Sequence, residues 1–340
     1  MKLKPSPRRR KRRLDERHFL PAAPRGMAES PQALAAARDE GKMIPFEGGN
    51  SMRICRFVTD EDPQSPHLGL LEGEVVHDVT AATAILPDLR WPLPPGDQLI
   101  ANLPAIRSRI DEIAAQCPTL PRQSVSLLSP VANPGKFVCG AGNWKHHGAP
   151  LGMMGFMGKV ASAISGEGQG VEIRWPDRVT VHEPELAMII GRECSNVSVD
   201  EALDYVAGYA CALDMTLKPE REDWAFCKSF DTYGMIGPCM VTADEISDPS
   251  ALGYRFWVNG ELRGERSFAD LTGSPAEMIA FASTAMTLHP GDIVMSGAAD
   301  VAPVAPGDEM RLEIPGVETL VTKVWKSDRA REAPWGAGSS

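Results

Sequence analysis

Three acidic residues raise the question of chemistry first. Glu183 and Glu185 stand two apart in VHEPELAMII, and a strand there sends both side chains out of one face. Two carboxylates on one face repel unless something positive lies between them. Asp214 is the one acid at the end of the apolar run GYACALDM, where an unpaired buried charge would cost roughly several kcal/mol. Three oxygen ligands with no His or Cys among them suit Mg²⁺, Mn²⁺ or Ca²⁺ better than zinc. Taken alone, the E-x-E pair reads more simply as a solvated strand face with ordinary salt bridges. Its surroundings favour the metal: Asp214 is followed at short range by Lys218, Arg221, Trp224 and Lys228, and VCGAGNWKHHG upstream presents Asn143, Trp144, His146 and His147 from a glycine-rich turn. Downstream, LHPGDIVMSGAAD puts Gly297 at the end of another strand, a place for close backbone approach to a ligand.

Strands must carry most of these groups. MRICRFV from Met52 alternates, and LGLLEGEVVHDVT predicts a hairpin turning at Glu72-Gly73. Residues 96 to 117 place Leu99, Ile100, Leu103, Ile106, Ile110 and Ile113 at spacings of three and four, which predicts an amphipathic helix despite Pro104. Prolines 118, 121, 130 and 134 then mark a linker. Beyond it, KFVCGAG, RVTVHEPELAMIIG, YVAGYACALDM, PCMVTADE, YRFWVNGE, DIVMSG, EMRLEI and TLVTKVW read as strands. Two helices are signed by capping boxes, Ser198 to Glu201 and Ser274 to Glu277. The expectation is a β-rich α+β protein with a small α+β domain over 52–120, a main domain over 130–325 and a tail over 326–340. No glycine-rich nucleotide fingerprint occurs.

Composition narrows the function classes. The chain of 340 residues has a formal net charge of -10. Residues 1 to 51 carry 12 basic and 6 acidic groups, so the remainder is at -16, which argues against a nucleic-acid partner for the body of the protein. The first segment, with RRRKRR at 8–13 and several prolines, lacks the apolar surface to fold and is expected to be a disordered extension. No run reaches the roughly 18 apolar residues of a membrane span. Seven scattered cysteines without a C-x-x-C pair fit a reducing, cytoplasmic setting.

From about Met52 to Val324, and most closely over 136 to 324, the chain resembles the fumarylacetoacetate hydrolase superfamily. The elements that carry the resemblance are G-x-N-[YW]-x-x-H (Asn143, Trp144, His147), F-x-K-x-x-S (Phe156, Lys159, Ser162) and E-x-E-L-A-x-x-I-G from Glu183. They continue with E-A-L-D-Y-V-A-G-Y from Glu201, D-x-[ST] at Asp214, K-S-F-D-T-[FY] from Lys228, I-G-P, V-N-G and L-x-P-G-D-[IV] from Leu288. The resemblance implies a catalytic domain built as a mixed β-sandwich roll, usually in a homodimer. It implies Mg²⁺ or Mn²⁺ held by Glu183, Glu185 and Asp214, and a 2-oxo or β-diketo acid as substrate. Lys228 is then the lysine that supports a developing oxyanion, Lys218 a second catalytic cation and His147 a base, with His146 as its substitute. Asn143, Lys159, Arg221, Tyr233 and Gly297 are expected around the substrate.

Departures from the family pattern bear on the reaction. The acid that works with the histidine in hydrolytic relatives is replaced by Pro150. Lys218 stands where many relatives have Arg, and it neutralises a carboxylate without gripping it bidentately. Ser296-Gly297-Ala298-Ala299 replaces T-G-T-P. Hydrolytic cleavage of a C–C bond through a metal-stabilised enolate is the leading expectation; decarboxylation or keto-enol tautomerisation is the alternative, because Pro150 removes the water-activating partner.

Overall fold

A computed structural model describes residues 51–148, 150–218 and 224–334; the basic first segment and Arg221 lie outside them. The described residues form a strand-rich α+β fold, as the sequence predicts. Its largest sheet runs through the strands Thr119–Pro121, Val75–Asp78, His67–Glu72, Arg53–Thr59, Gly234–Thr242, Val206–Asp214, Pro184–Ile190, Ile293–Met295, Phe137–Gly140 and Phe156–Lys159, in that spatial order. A five-stranded sheet holds Glu261–Ser267, Gly253–Val258, Glu309–Ile314, Glu318–Lys326 and Val171–Ile173, and a three-stranded one holds Thr216–Leu217, Thr180–His182 and Ala302–Val304.

The central strands are buried on both faces, which explains their continuous apolar text. Along Pro184–Ile190, Leu186, Met188 and Ile190 enter one core cluster while Ala187 and Ile189 enter the other, the period of two that a pleated strand imposes. The predicted helix spans Gln98–Ala114 and lays Ile100, Leu103, Ile106 and Ile110 on the second cluster. Its N-cap Asp97 accepts from the amides of Leu99 and Ile100 with one oxygen and from those of Ala132 and Asn133 with the other. Helix start and linker are thereby fixed together just ahead of the strand that ends at Gly140. The hairpin forms as read, with Glu72 opposite Val75 and Gly73 at φ 57°.

One predicted strand is divided. RVTVHEPELAMIIG becomes Thr180–His182 in the small sheet and Pro184–Ile190 in the large one, with Glu183 at the break. Pro184 lacks an amide hydrogen for the ladder, so the chain changes sheets there. The Ser198 box caps a helix of four residues, Val199–Ala202, whereas the Ser274 box starts the longer Pro275–Ala285. No helix of the described residues is long and apolar enough to cross a membrane.

Candidate functional site

Antiparallel pairing brings the acids together. Pro184 lies opposite Leu213 and Glu185 opposite Ala212, and the Asp214 amide donates to the Glu183 carbonyl at 2.9 Å. Glu185 shares the face of Ala187 and Ile189, and Asp214 the face of Ala212. Cys139, at the end of Phe137–Gly140, comes in beside them: one ligand atom from each of Cys139, Glu185 and Asp214 lies within 4.8 Å of the other two.

Two lysines answer this charge. Lys228 Nζ donates to Glu183 Oε2 (2.8 Å), Asp214 Oδ2 (2.6 Å) and Thr216 Oγ1 (2.8 Å), and the Thr216 hydroxyl donates to Glu183 Oε1 (2.8 Å). Lys159 Nζ donates to Asp214 Oδ1 and to the Met215 carbonyl. Burial alone would raise the Asp214 pKa, but Lys159 and Lys228 outweigh it and hold the carboxyl at about 2. Burial works against the Lys228 ammonium, yet Asp214, Cys139 and Glu183 keep its pKa well above the usual lysine value. Glu185 has no such partner. One oxygen accepts the Gly297 amide, the other is buried and bonds nothing, and burial followed by the charges of Asp214 and Glu183 pushes its pKa well up.

Three carboxylates against two ammonium groups would leave one negative charge unmatched if all were ionised, and Glu185, with its orphaned oxygen and raised pKa, is the group least able to carry it without a further cation. That donor set fits a hard divalent cation, which prefers carboxylate oxygens and would satisfy the orphan. Glu185 and Asp214, with the Cys139 thiol, offer ligand atoms within 4.8 Å of one another and could hold such an ion, and Glu183, tied to Asp214 through Lys228, stands next to them. The neighbouring Cys139 thiol was not singled out as a site residue from the sequence; the readable signal was its place at the end of KFVCGAG, the strand that leads into the glycine-rich turn. Thr216, the last position of D-x-[ST], is a second addition, because it ties Glu183 to Lys228.

A cavity of about 300 Å³ opens over this cluster. Glu183, Glu185 and Lys228 line its polar end, Met157, Val181, Trp224 and Val301 its apolar wall, and His147 and Lys218 border it too. His147 stands on an exposed single turn, Lys145–His147, with its ring 4.1 Å from that of His146. Burial and then the neighbouring His146 lower its pKa, which favours the neutral, proton-accepting imidazole near neutral pH. His182, adjacent to Glu183, is brought down to about 4, chiefly by burial and next by Arg263, and its ring lies 4.5 Å from Phe256.

Four residues expected around the substrate do not line the cavity. Asn143 is fully buried, and its amide donates to the carbonyls of Gly273 and Ser296 while its oxygen accepts the Gly273 amide, so it staples the glycine-rich turn to its neighbours. Lys159 lies behind Asp214 with its charge taken up there. Tyr233 is buried with its hydroxyl 2.7 Å from Thr180 Oγ1. Gly297 sits at φ 87°, and a Cβ there would lie 2.3 Å from the Gly140 carbonyl oxygen, so only glycine delivers its amide to Glu185. Lys159 and Gly297 thus bond the acids Asp214 and Glu185, Asn143 ties down the glycine-rich turn, and Tyr233 bonds Thr180. The fifth, Arg221, lies outside the described residues.

Comparison with known proteins places the chain in a family. A family profile described as fumarylacetoacetate (FAA) hydrolase C-terminal matches residues 137–325. Maleylpyruvate hydrolase of Aquipseudomonas alcaligenes is 38% identical over 291 residues, covering 80% of this chain and 99% of that protein. A mitochondrial oxaloacetate tautomerase of Xenopus laevis is 33% identical over 260 residues, covering 73% of this chain and 79% of its own length. Among solved structures, maleylpyruvate hydrolase from Sphingobium sp. SYK-6 in complex with manganese(II) and pyruvate superposes with a TM-score of 0.70 at 35% identity, covering 82% of this chain and all of that one. The sequence motifs, the carboxylate cluster at the end of a β-rich fold and these matches lead to one conclusion: the chain belongs to the fumarylacetoacetate hydrolase family.

Proposed function

We propose that this protein is a divalent-metal-dependent hydrolase that cleaves a C–C bond of an acylpyruvate-type 2-oxo acid, with maleylpyruvate the substrate that its relatives suggest. The observation that carries the reading is the unmatched, buried carboxylate oxygen of Glu185 beside Glu183 and Asp214, at the floor of a substrate-sized cavity. Mg²⁺ or Mn²⁺ bound by these three acids would supply Lewis-acid stabilisation for the enolate charge of a 2-oxo acid. Lys228, fixed between two of them, adds a positive charge in a water-poor site, where it is worth most. Neutral His147 accepts a proton from water, whose oxygen adds to the distal keto carbon. The C–C bond then breaks, its electron pair leaves with the three-carbon fragment as the enolate of pyruvate, and a proton taken up at that carbon gives pyruvate. The other fragment departs as a carboxylic acid. Lys218 offers an ammonium to a distal carboxylate, while Met157, Val181, Val301 and Trp224 pack the carbon chain between the two ends.

A second reading rests on a specific observation. Pro150 occupies the place of the acid that would orient the histidine, and His147 has no carboxylate hydrogen-bond partner among the described residues. Tautomerisation or decarboxylation of a substrate such as oxaloacetate would require the metal platform alone, and the 33% identity to an oxaloacetate tautomerase supports it. The experiment is to incubate the full chain with Mn²⁺ and either an acylpyruvate or oxaloacetate. Pyruvate release from the acylpyruvate, abolished by EDTA, is the expected result. Loss of enol absorbance or CO₂ release with oxaloacetate, without cleavage of the acylpyruvate, would replace the first reading by the second. The same proposal has 52–120 and 130–325 acting as one body, since Arg53–Thr59 pairs with Gly234–Thr242 in a single sheet, and the protein working as a cytoplasmic homodimer; light scattering at micromolar concentration tests the assembly.

A further inference from the structure

One wall of the cavity is a short loop, residues 297–301, which contributes Ala298 and Val301. Its first residue, Gly297, gives the amide that holds Glu185. Ala298 and Ala299 bring no polar side chain to fix the loop. The far end is fixed by Asp300, whose carboxylate accepts from the Tyr254 hydroxyl (2.7 Å) and from Arg266 Nε (3.1 Å) and Nη2 (2.5 Å). Tyr254 and Arg266 lie directly opposite each other on the paired strands Gly253–Val258 and Glu261–Ser267, so both donors leave the same sheet face side by side. Gly264 makes the space: a Cβ there would lie 2.2 Å from Asp300 Oδ2. The Tyr254 ring meets Trp144 edge-on with centroids 6.2 Å apart, and Trp144 Nε1 donates to the Gly297 carbonyl at 2.9 Å. The contacts close a ring from Gly297 through Trp144 and Tyr254 to Asp300 and back along the loop.

We propose that Asp300 is a positioning residue of the active site: by clamping the 297–301 loop onto Tyr254 and Arg266 it holds the Gly297 amide on Glu185, and so sets the affinity for the metal and the shape of the cavity wall. The inference rests on the reading of Glu185 as a metal ligand. The test is calorimetric titration of Mn²⁺ into the metal-free full-length protein, with thermal unfolding and steady-state kinetics alongside. Asp300→Asn keeps the size but loses the charge-assisted fork to Arg266 and turns one acceptor into a donor. It is expected to weaken Mn²⁺ binding by about tenfold or more, the range found when groups that orient metal ligands are removed, and to raise KM by a larger factor than it lowers kcat. Arg266→Lys and Tyr254→Phe, each removing part of the clamp from its outer side, should give smaller shifts in the same direction, and they decide the matter if Asp300→Asn does not fold. Mn²⁺ affinity equal to wild type in the variants that fold, with only a lower Tm, assigns the clamp a purely structural role and overturns the inference. Wild-type protein that fails to bind Mn²⁺ overturns the metal reading as well, which separates the two failures.

Discussion

Replacing Glu185 by Gln separates what stability asks of this site from what metal binding asks of it. In the metal-free protein the Glu185 carboxylate is fully buried, with one oxygen on the Gly297 amide and the other bonded to nothing. Burial, Asp214 and Glu183 raise its pKa well above the ordinary 4.5. A group whose folded pKa is raised favours the folded state below its unfolded pKa and loses that contribution as pH rises toward the folded value. At neutral pH the native carboxylate is therefore a burden, and Glu185→Gln relieves it. Gln keeps a polar atom at the orphan's place, so the gain comes from the charge alone and should be about 1–3 kcal/mol, or roughly 2–4 °C of Tm per kcal/mol for a large domain. Saturating Mn²⁺ reverses the order: at a hundred times its Kd a ligand adds about 2.7 kcal/mol to the state that binds it, and the variant forgoes this. Thermal unfolding at pH 7 in EDTA and then in Mn²⁺ reads both effects, and the advantage in EDTA should shrink as pH falls toward 4.5. A variant less stable than wild type in EDTA would mean that Glu185 is not a buried burden, and one that keeps the whole Mn²⁺-induced rise would mean that it is not a metal ligand.

Three further outcomes follow from the same contacts. Lys228→Met leaves Glu183 and Asp214 facing each other without their shared ammonium, and removing one partner from a buried ion pair costs about 3–5 kcal/mol, so the urea midpoint of the metal-free protein should fall steeply; an unchanged midpoint contradicts the pairing. The acid limb of kcat/KM should lie below pH 6.5, because burial and His146 lower the His147 pKa. His146→Asn removes the second influence and should move the limb upward, whereas His147→Asn should abolish it; a limb indifferent to both substitutions removes His147 as the base. Gly297→Ala would force a residue with a side chain to φ 87°, with its Cβ 2.3 Å from the Gly140 oxygen. It should lower Mn²⁺ affinity about 10–100-fold by pulling the amide from Glu185, as calorimetry would show.

That the three acids meet was legible from their types and spacing, but not for the reason the strand arithmetic gives: Glu183 lies at the break between Thr180–His182 and Pro184–Ile190, and it reaches Asp214 through the shared Lys228. The chain's change of sheet at Glu183 was harder to see, since a run buried on both faces carries no alternation to mark where one strand stops. Roles were less legible than places. Lys159, Asn143 and Tyr233 sit in motifs that surround the site, but whether a side chain faces the cavity or props up a ligand depends on long-range contacts such as Lys159 with Asp214 and Asn143 with Gly273 and Ser296. Thr216 and Cys139 were within the quoted motifs, and only the packing of Phe137–Gly140 near Pro184–Ile190 and Val206–Asp214 gives them a part. The Asp300 clamp is invisible in the sequence because Tyr254 and Arg266 become neighbours only through the register of their hairpin.

If the site with its metal bound adds water across a C–C bond, turnover of an acylpyruvate in H₂¹⁸O with Mn²⁺ puts one ¹⁸O in the carboxylic acid released with pyruvate, and that turnover is lost in EDTA and in Glu185→Gln. Enol loss or CO₂ release by the wild-type protein, with no labelled acid formed, would contradict that addition.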